Sequence, residues 1–322
     1  NEDGKAKIIE FANLLRASRK YLPHKAEIIP FENYQPIAVE PASAGTGNYI
    51  EDSLGLSQQA EQTEADIILF AGVVFMAETA KILNPTKKVL GPDLNAGCSL
   101  ADNCPADEFK LFIESRPDHV VVSYINCSAE VKALSDIICT SSNAEKIIRS
   151  IPLDKKIIFG PDKHLGDYLI KKTGRDMVLW DGACEVHDRF NVKQLTEFSA
   201  RHPNAKIIAH PECPADVLEF ADFIGSTTAL LNYTIKSDAN SFIVLTEAGI
   251  LHQMQKASPS KIFIALPNQE GCNCAECPYM RLNTLEKIKM SLIHETPEII
   301  LDDALRIAAY APIKKMLELS RQ

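Results

Sequence analysis

The chain carries nine cysteines, and three of them sit where a metal centre would need them. Cys98 and Cys184 are 86 residues apart, and the segments before Cys184 and before the last cysteines match at the same shift. Residues 122–141 read VSYINCSAEVKALSDIICTS, and residues 208–227 read IAHPECPADVLEFADFIGST. Aligning Asp136 with Asp222 puts Tyr124 on His210, Asn126 on Glu212 and Ser141 on Thr227. The second copy ends at DGAC with Cys184, and the third at GCNCAEC with Cys272, Cys274 and Cys277. A less regular first copy ends at Cys98. One cysteine from each third of a repeat protein can hold something thiophilic on a shared axis. Three thiolates suit three irons of a [4Fe–4S] cluster whose fourth iron stays open as a Lewis acid. They also suit catalytic zinc with an open position, and ligand softness does not choose between the two. Cys104, Cys127, Cys139 and Cys213 have no such matched places and read as small core hydrophobes.

Two further sets recur with the repeat. Polar residues follow equivalent strands: Glu32-Asn33-Tyr34, Tyr124-Ile125-Asn126 and His210-Pro211-Glu212. Ligands of open α/β sheets lie beyond strand C-termini, so these side chains are candidate acid/base and orienting groups. Taken singly, a strand-end His or Glu is an ordinary loop residue. Hydroxyl clusters form the other set: Asp52-Ser53, Thr140-Ser141-Ser142 and Ser226-Thr227-Thr228. At helix N-termini such residues cradle a phosphate or simply cap the helix, and capping is the commoner use.

The elements that must position these residues are legible from periodicity. Strand-length apolar runs alternate with amphipathic stretches: KAEIIPF, DIILFAG, KKVLGP, HVVVSYI, KKIIFG, DMVLWDG, AKIIAH, SFIVLT and KIFIAL. Runs apolar on both faces are parallel strands covered by helices. AETAKILNP is a helix stopped by Asn84-Pro85; SAEVKALSD, PADVLEFAD and TEAGILHQMQKASP are others. The fold expected is α/β, with three homologous αβα sandwich domains, each on a short parallel sheet, in pseudo-threefold arrangement around a central site. The expected boundaries are 1–98 plus 278–322, 99–184 and 185–277, with the last two helices, LNTLEKIKMSLIHE and DDALRIAAYAPIKKMLELS, packing back on the first domain.

Composition narrows the function classes. The chain has 322 residues and a net charge of −9, with no long basic tract, which argues against nucleic acid. The longest uncharged apolar run, Ile67–Ala77, falls short of the roughly 20 residues needed to span a bilayer. The N-terminus NEDGKAKIIEF lacks the apolar core of a signal peptide, so a cytoplasmic protein is expected. With that location, thiols serve metal or redox chemistry rather than a disulfide framework.

The stretches DSLGLSQQA, FMAETAKILNP, SYINCSAEVKALSD, TSSNA, GRDMVLWDGAC, AHPECPADVLEFADFIGSTTALL, TEAGILHQMQ and CNCAECPYMRLNTLEKI, in this order, closely resemble the quinolinate synthase family. The resemblance covers residues from about 50 to 290. It implies an iron–sulfur enzyme of NAD biosynthesis in which Cys98, Cys184 and Cys277 hold the [4Fe–4S] cluster. The implied reaction condenses iminoaspartate with dihydroxyacetone phosphate to quinolinate, phosphate and water, with L-aspartate oxidase as the supplier of iminoaspartate. By motif position, Tyr124 and Asn126 contact the diacid, and Glu212 is the acid/base group. His210, Ser53, Ser141, Ser226 and Thr227 handle the triose phosphate, and Tyr34 is a substrate contact and proton carrier. An iron–sulfur hydro-lyase acting on another small acid and a non-catalytic iron–sulfur or zinc sensor are the competing readings.

One segment departs from the family pattern. Glu32 stands two residues before Tyr34, where the family usually has His, and PIAVEPASAGTGNYIE replaces a helix. Tyr124 to Ser141 and His210 to Thr227 each span 17 positions, whereas Glu32 to Ser53 spans 21. A carboxylate there repels a substrate phosphate unless it is protonated or turned away.

Overall fold

The computed structural model describes residues 26–30, 49–267 and 275–321, with only the backbone described for 26–30. Glu32, Tyr34, most of the Pro/Gly-rich stretch after them, Cys272 and Cys274 lie outside the described residues. Eleven described strands form three sheets, and every pairing within them is parallel. The first sheet has the order β1 (Ala26–Pro30), β2 (Ile67–Ala71), β3 (Lys88–Leu90). The second contains β4 (His119–Tyr124), β5 (Ile137–Cys139), β6 (Lys156–Gly160) and β7 (Met177–Leu179), in the order β5-β4-β6-β7. The third contains β8 (Lys206–Ala209), β9 (Phe223–Ile224), β10 (Ser241–Leu245) and β11 (Ile262–Ala265), in the order β11-β10-β8-β9. The second and third sheets therefore share one strand order, read in opposite directions. The nine strands expected from apolar runs are all present. β5 and β9 are additional, with three and two residues.

Helices connect the strands: α1 (Ser53–Gln62), α2 (Val74–Leu83), α3 (Ser99–Asp102), α4 (Ala106–Glu114), α5 (Ala129–Ala133), α6 (Ala144–Ser150) and α7 (Lys163–Thr173). Then follow α8 (Val192–Arg201), α9 (Ala215–Leu218), α10 (Thr227–Lys236), α11 (Ile250–Ala257), α12 (Leu285–His294) and α13 (Asp303–Arg321). α2 ends at Asn84, whose side-chain amide donates to the Ala60 and Ala80 carbonyls, as the Asn-Pro signal requires. α7 begins at Asp162, which accepts from the Leu165 N–H at 2.7 Å, and ends at Gly174 with φ +70°. That left-handed residue is the C-terminal stop a glycine takes without strain.

Strand burial explains the continuous apolar runs. In β10, Ile243 and Leu245 face one core cluster with Leu195 and Val217, while Phe242 and Val244 face another with Leu230 and Met254. Both faces of the sheet are thus covered, so alternate positions are equally apolar. The first and second sheets share one large core, which joins Phe70, Phe75 and Met76 to Val122, Ile138 and Phe159. Cys104, Cys127, Cys139 and Cys213 are buried in these cores, as read from the sequence. α12 covers the first sheet through Ile288 and Leu292. α13 reaches further than expected: besides α2 it lies along α5 and β5, and its Ile313 and Met316 enter the shared core. No described helix is long and apolar enough to cross a membrane.

A buried polar contact fastens α2 to α5. Lys132 is fully buried, and its ammonium donates to the carbonyls of Cys127 and Phe75. Glu78 accepts from the Ala129 N–H at 3.0 Å. Burial raises the Glu78 pKa from its ordinary 4.5, and the nearby Lys132 charge only partly offsets this. The folded state therefore holds a proton that the unfolded chain has released. Stability from this group is full below about pH 4.5 and is lost as pH rises through the folded value. Urea unfolding of wild type and Glu78→Gln at several pH values is expected to give a shallower loss of stability with rising pH in the variant. Equal slopes would contradict the assignment.

Candidate functional site

The site lies at the C-terminal ends of the parallel strands. Tyr124 is the last residue of β4, Ser141 follows β5, His210 and Glu212 follow β8, and Thr246 and Glu247 follow β10. A backbone leaving a strand end turns away from the sheet and exposes its side chains to the space above. These residues, with Asp52, Ser53, Asn126, Thr227, Cys98, Cys184 and Cys277, border one cavity with an empty volume of about 660 Å³. Of the sequence-predicted residues, Ser226 stands just behind the wall, and Tyr34 lies outside the described residues.

The three cysteines share one local geometry. The Cys98 sulfur receives the backbone N–H groups of Leu100 and Ala101, Cys184 those of Val186 and His187, and Cys277 those of Tyr279 and Met280. In each case the donors are the second and third residues after the cysteine. Burial pushes Cys98 up to about 12 and Cys277 up to about 11, and raises Cys184 well above its ordinary value. Cys98 feels the charge of Cys277, and Cys184 that of Cys98, so the sulfurs are neighbours. Thiols this reluctant to ionise become thiolates only beside a strong positive centre. N–H groups aimed at the sulfur are what an iron–sulfur centre uses to stabilise its charge. The donor set therefore fits a thiolate-held cluster. Cys104, Cys127 and Cys139 receive no such N–H pairs.

Glu212 is the electrostatic centre of the cavity. The Tyr124 hydroxyl donates to its Oε1 at 2.6 Å, and His210 Nδ1 lies 3.5 Å from the same oxygen. Its Oε2 lies 3.2 Å from His187 Nδ1, but the two are out of line for a hydrogen bond, and neither atom has another partner. The His187 and His210 rings stack with centroids 4.9 Å apart. Burial opposes ionisation of Glu212, but the adjacent imidazoles and the Tyr124 hydroxyl outweigh it and lower the carboxyl to about 2. Burial also lowers His210 to about 4, against the pull of Glu212, so at neutral pH that ring is uncharged. The ionised Glu212 is then held by the Tyr124 hydroxyl. Asn126 also borders the cavity, and its Oδ1 is buried without a hydrogen-bond partner among the described residues.

The hydroxyl clusters meet one another. Asp52 caps α1 by accepting from Gly55 N–H at 3.0 Å, and Ser226 caps α10 by accepting from Ala229 N–H at 3.3 Å. Ser142 joins them, bonded to the Asp52 carboxylate and, at 2.8 Å, to Ser226. The capping role and the cavity-facing role thus coexist: Asp52 and Ser226 cap, while Ser53, Ser141 and Thr227 face the space in front of two ten-residue helices.

Known proteins share this chain's sequence nearly end to end. The sequence model of the family described as Quinolinate synthetase A protein (NadA) matches residues 18–318. The quinolinate synthase of Synechocystis is 60% identical over 287 residues, covering 89% of each chain. That of Microcystis aeruginosa is 61% identical over 273 residues, 85% of this chain and 86% of its own. That of Chloroherpeton thalassium is 56% identical over 283 residues, 88% of each. The chain belongs to the quinolinate synthase family. It is accordingly an enzyme of NAD biosynthesis, of the transferase class.

Within this family member, three site residues escaped the sequence reading. His187 follows Cys184 by three positions, a spacing typical of metal ligands, and that was the available signal. With Cys184 and Glu212 it forms a group whose ligand atoms all lie within 4.8 Å of one another. Thr246 and Glu247 were concealed in TEAGILHQMQ, which reads as a helix throughout, although α11 starts only at Ile250. Thr246 Oγ1 lies 2.9 Å from His187 Nε2. Glu247 accepts from Gly249 N–H at 2.7 Å and from Cys277 N–H at 3.2 Å, which fixes the Cys277 backbone.

Removing both acceptors leaves two N–H groups without partners, at about 1–3 kcal/mol for each that stays buried. Glu247→Ala is expected to lose about 2 kcal/mol or more by urea unfolding and to speed amide exchange at Gly249 and Cys277. Glu247→Gln, which keeps one acceptor oxygen, loses less. Unchanged exchange at both amides would contradict the assignment.

Proposed function

We propose that the chain condenses iminoaspartate with dihydroxyacetone phosphate to quinolinate, releasing phosphate and water. In this reading Cys98, Cys184 and Cys277 hold a [4Fe–4S] cluster. The observation that carries it is the threefold recurrence of a cysteine sulfur facing two backbone N–H groups, all three on the cavity that Tyr124, Asn126 and Glu212 also border. The names of the relatives support the same reading. When bound, the cluster supplies an open iron that acts as a Lewis acid.

The chain's own residues do the rest. Tyr124 and Asn126, which both border the cavity, orient the diacid. Ser53, Ser141, Ser226 and Thr227, at the N-termini of α1 and α10 and beside Tyr124, receive the phosphate, whose charge the helix dipoles favour. Asp52 borders the same cavity, and its carboxylate is engaged by Gly55 and Ser142. His210, uncharged at neutral pH, hydrogen-bonds the triose phosphate. Glu212 carries protons to and from the substrate carbons through Oε2, the oxygen without a hydrogen-bond partner, while Tyr124 anchors Oε1. Tyr34, from the first third, completes the set.

The three sheets correspond in this reading to three homologous domains, 1–98 plus 278–322, 99–184 and 185–277, around a pseudo-threefold axis. The shared strand order of the second and third sheets supports it. The protein works in the cytoplasm, where its thiols stay reduced, downstream of an L-aspartate oxidase that supplies iminoaspartate.

Cys98→Ala, Cys184→Ala and Cys277→Ala are each expected to reduce bound iron from about four per chain to near zero after anaerobic reconstitution. Cys104→Ala should keep it; iron loss there would overturn the ligand assignment. Glu212→Gln should retain the cluster and lower kcat by about 100-fold or more, the scale of a lost acid/base group. A wild-type rate in that variant would remove Glu212 from the proton-transfer role.

A further inference from the structure

We propose that Cys184, His187 and Glu212 bind one divalent cation of the zinc type in the cluster-free protein, and that this ion and the cluster exclude each other through Cys184. Two buried atoms of the site are orphaned. His187 Nδ1 and Glu212 Oε2 are buried, face each other, and have no hydrogen-bond partner. Buried nitrogen and oxygen atoms are seldom left unpaired without a ligand to complete them. Their separation of 3.2 Å, out of line for a hydrogen bond, is close to the roughly 3.3 Å edge of a tetrahedron with bonds of about 2.0 Å, the zinc–nitrogen and zinc–oxygen distance.

The remaining atoms of both side chains are already anchored. Thr246 Oγ1 holds His187 Nε2 at 2.9 Å, which leaves Nδ1 as the free nitrogen. Tyr124 holds Glu212 Oε1 at 2.6 Å, which leaves Oε2 free. Such outer partners are characteristic of ligated imidazoles and carboxylates. The Cys184 sulfur is the third donor, and all three ligand atoms lie within 4.8 Å of one another. One sulfur, one imidazole nitrogen and one carboxylate oxygen, with a fourth position open to the cavity, are a zinc-type set. His210 is not part of it, because its Nδ1 accepts from the Glu212 N–H at 3.4 Å. On binding, the sulfur–hydrogen bond of Cys184 breaks, a sulfur–metal bond forms, and the proton leaves to solvent.

The cation site stands on the geometry alone, and only its competition with the cluster rests on the reading of Cys184 as a cluster ligand. The experiment keeps the two apart. The full chain, freed of iron, is titrated anaerobically with zinc against a chromophoric chelator, and with cobalt(II) to observe thiolate-to-metal absorption. One zinc per chain is expected, bound equally well by Cys98→Ala and Cys277→Ala. His187→Ala and His187→Asn, with circular dichroism confirming their fold, should weaken it by about 100-fold or more, since even outer partners of a metal site contribute 10–100-fold. Cobalt absorption should vanish in Cys184→Ala. One equivalent of zinc added before iron and sulfide should suppress cluster formation in wild type but not in His187→Ala. Zinc binding lost with Cys98→Ala or Cys277→Ala and kept by His187→Ala would place the ion on the three sulfurs and overturn the proposal. So would the absence of stoichiometric binding. Zinc binding as expected, with no cluster formed in any variant, would uphold the cation site and overturn the competition together with the cluster reading.

Discussion

A 2.6 Å hydrogen bond from Tyr124 to Glu212 is the contact on which the site depends. It runs from the end of one parallel sheet to the end of another, so it exists only if both sheets direct their C-terminal ends into the same space. A buried carboxylate is costly unless it is hydrogen-bonded. Here the Tyr124 phenol supplies that hydrogen bond. Placing a charge beside Cys98 and Cys184 also fixes their behaviour. Glu212 and burial together hold Cys98 and Cys184 protonated until a cation arrives.

The cavity is lined by two kinds of group. Sulfur, carboxylate and imidazole attract metal, and hydroxyls at the N-termini of two helices attract an anion. A substrate with carboxylates at one end and a phosphate at the other matches both kinds. The elements behind the walls are the apolar cores of the sheets, which have little freedom to shift.

Much of this was legible in the sequence because the repeat is. The 86-residue shift links Tyr124 with His210 and Asn126 with Glu212, and the structure brings all four onto one cavity. Apolar runs gave the longer strands, because burial on both faces leaves no polar alternation to interrupt them. Where the sequence was silent, the reason is physical. β9 has two residues and no periodicity to read. Thr246 and Glu247 belong to a helix-like stretch, but the Glu247 carboxylate is spent on the Gly249 and Cys277 amides before the helix begins. His187 acts through atoms that meet only in the fold, with Glu212 25 positions away and Thr246 59 positions away. α13 could be read as a helix, but which sheets it joins depends on long-range packing that no local pattern records.

The central claim is that one cavity combines the three-cysteine centre with the groups that handle the diacid and the triose phosphate. The most direct measurement is quinolinate formation from iminoaspartate and dihydroxyacetone phosphate by the anaerobically reconstituted protein, with iron and sulfide counted on the same sample. The account predicts turnover together with about four irons per chain. A full cluster without quinolinate would contradict it.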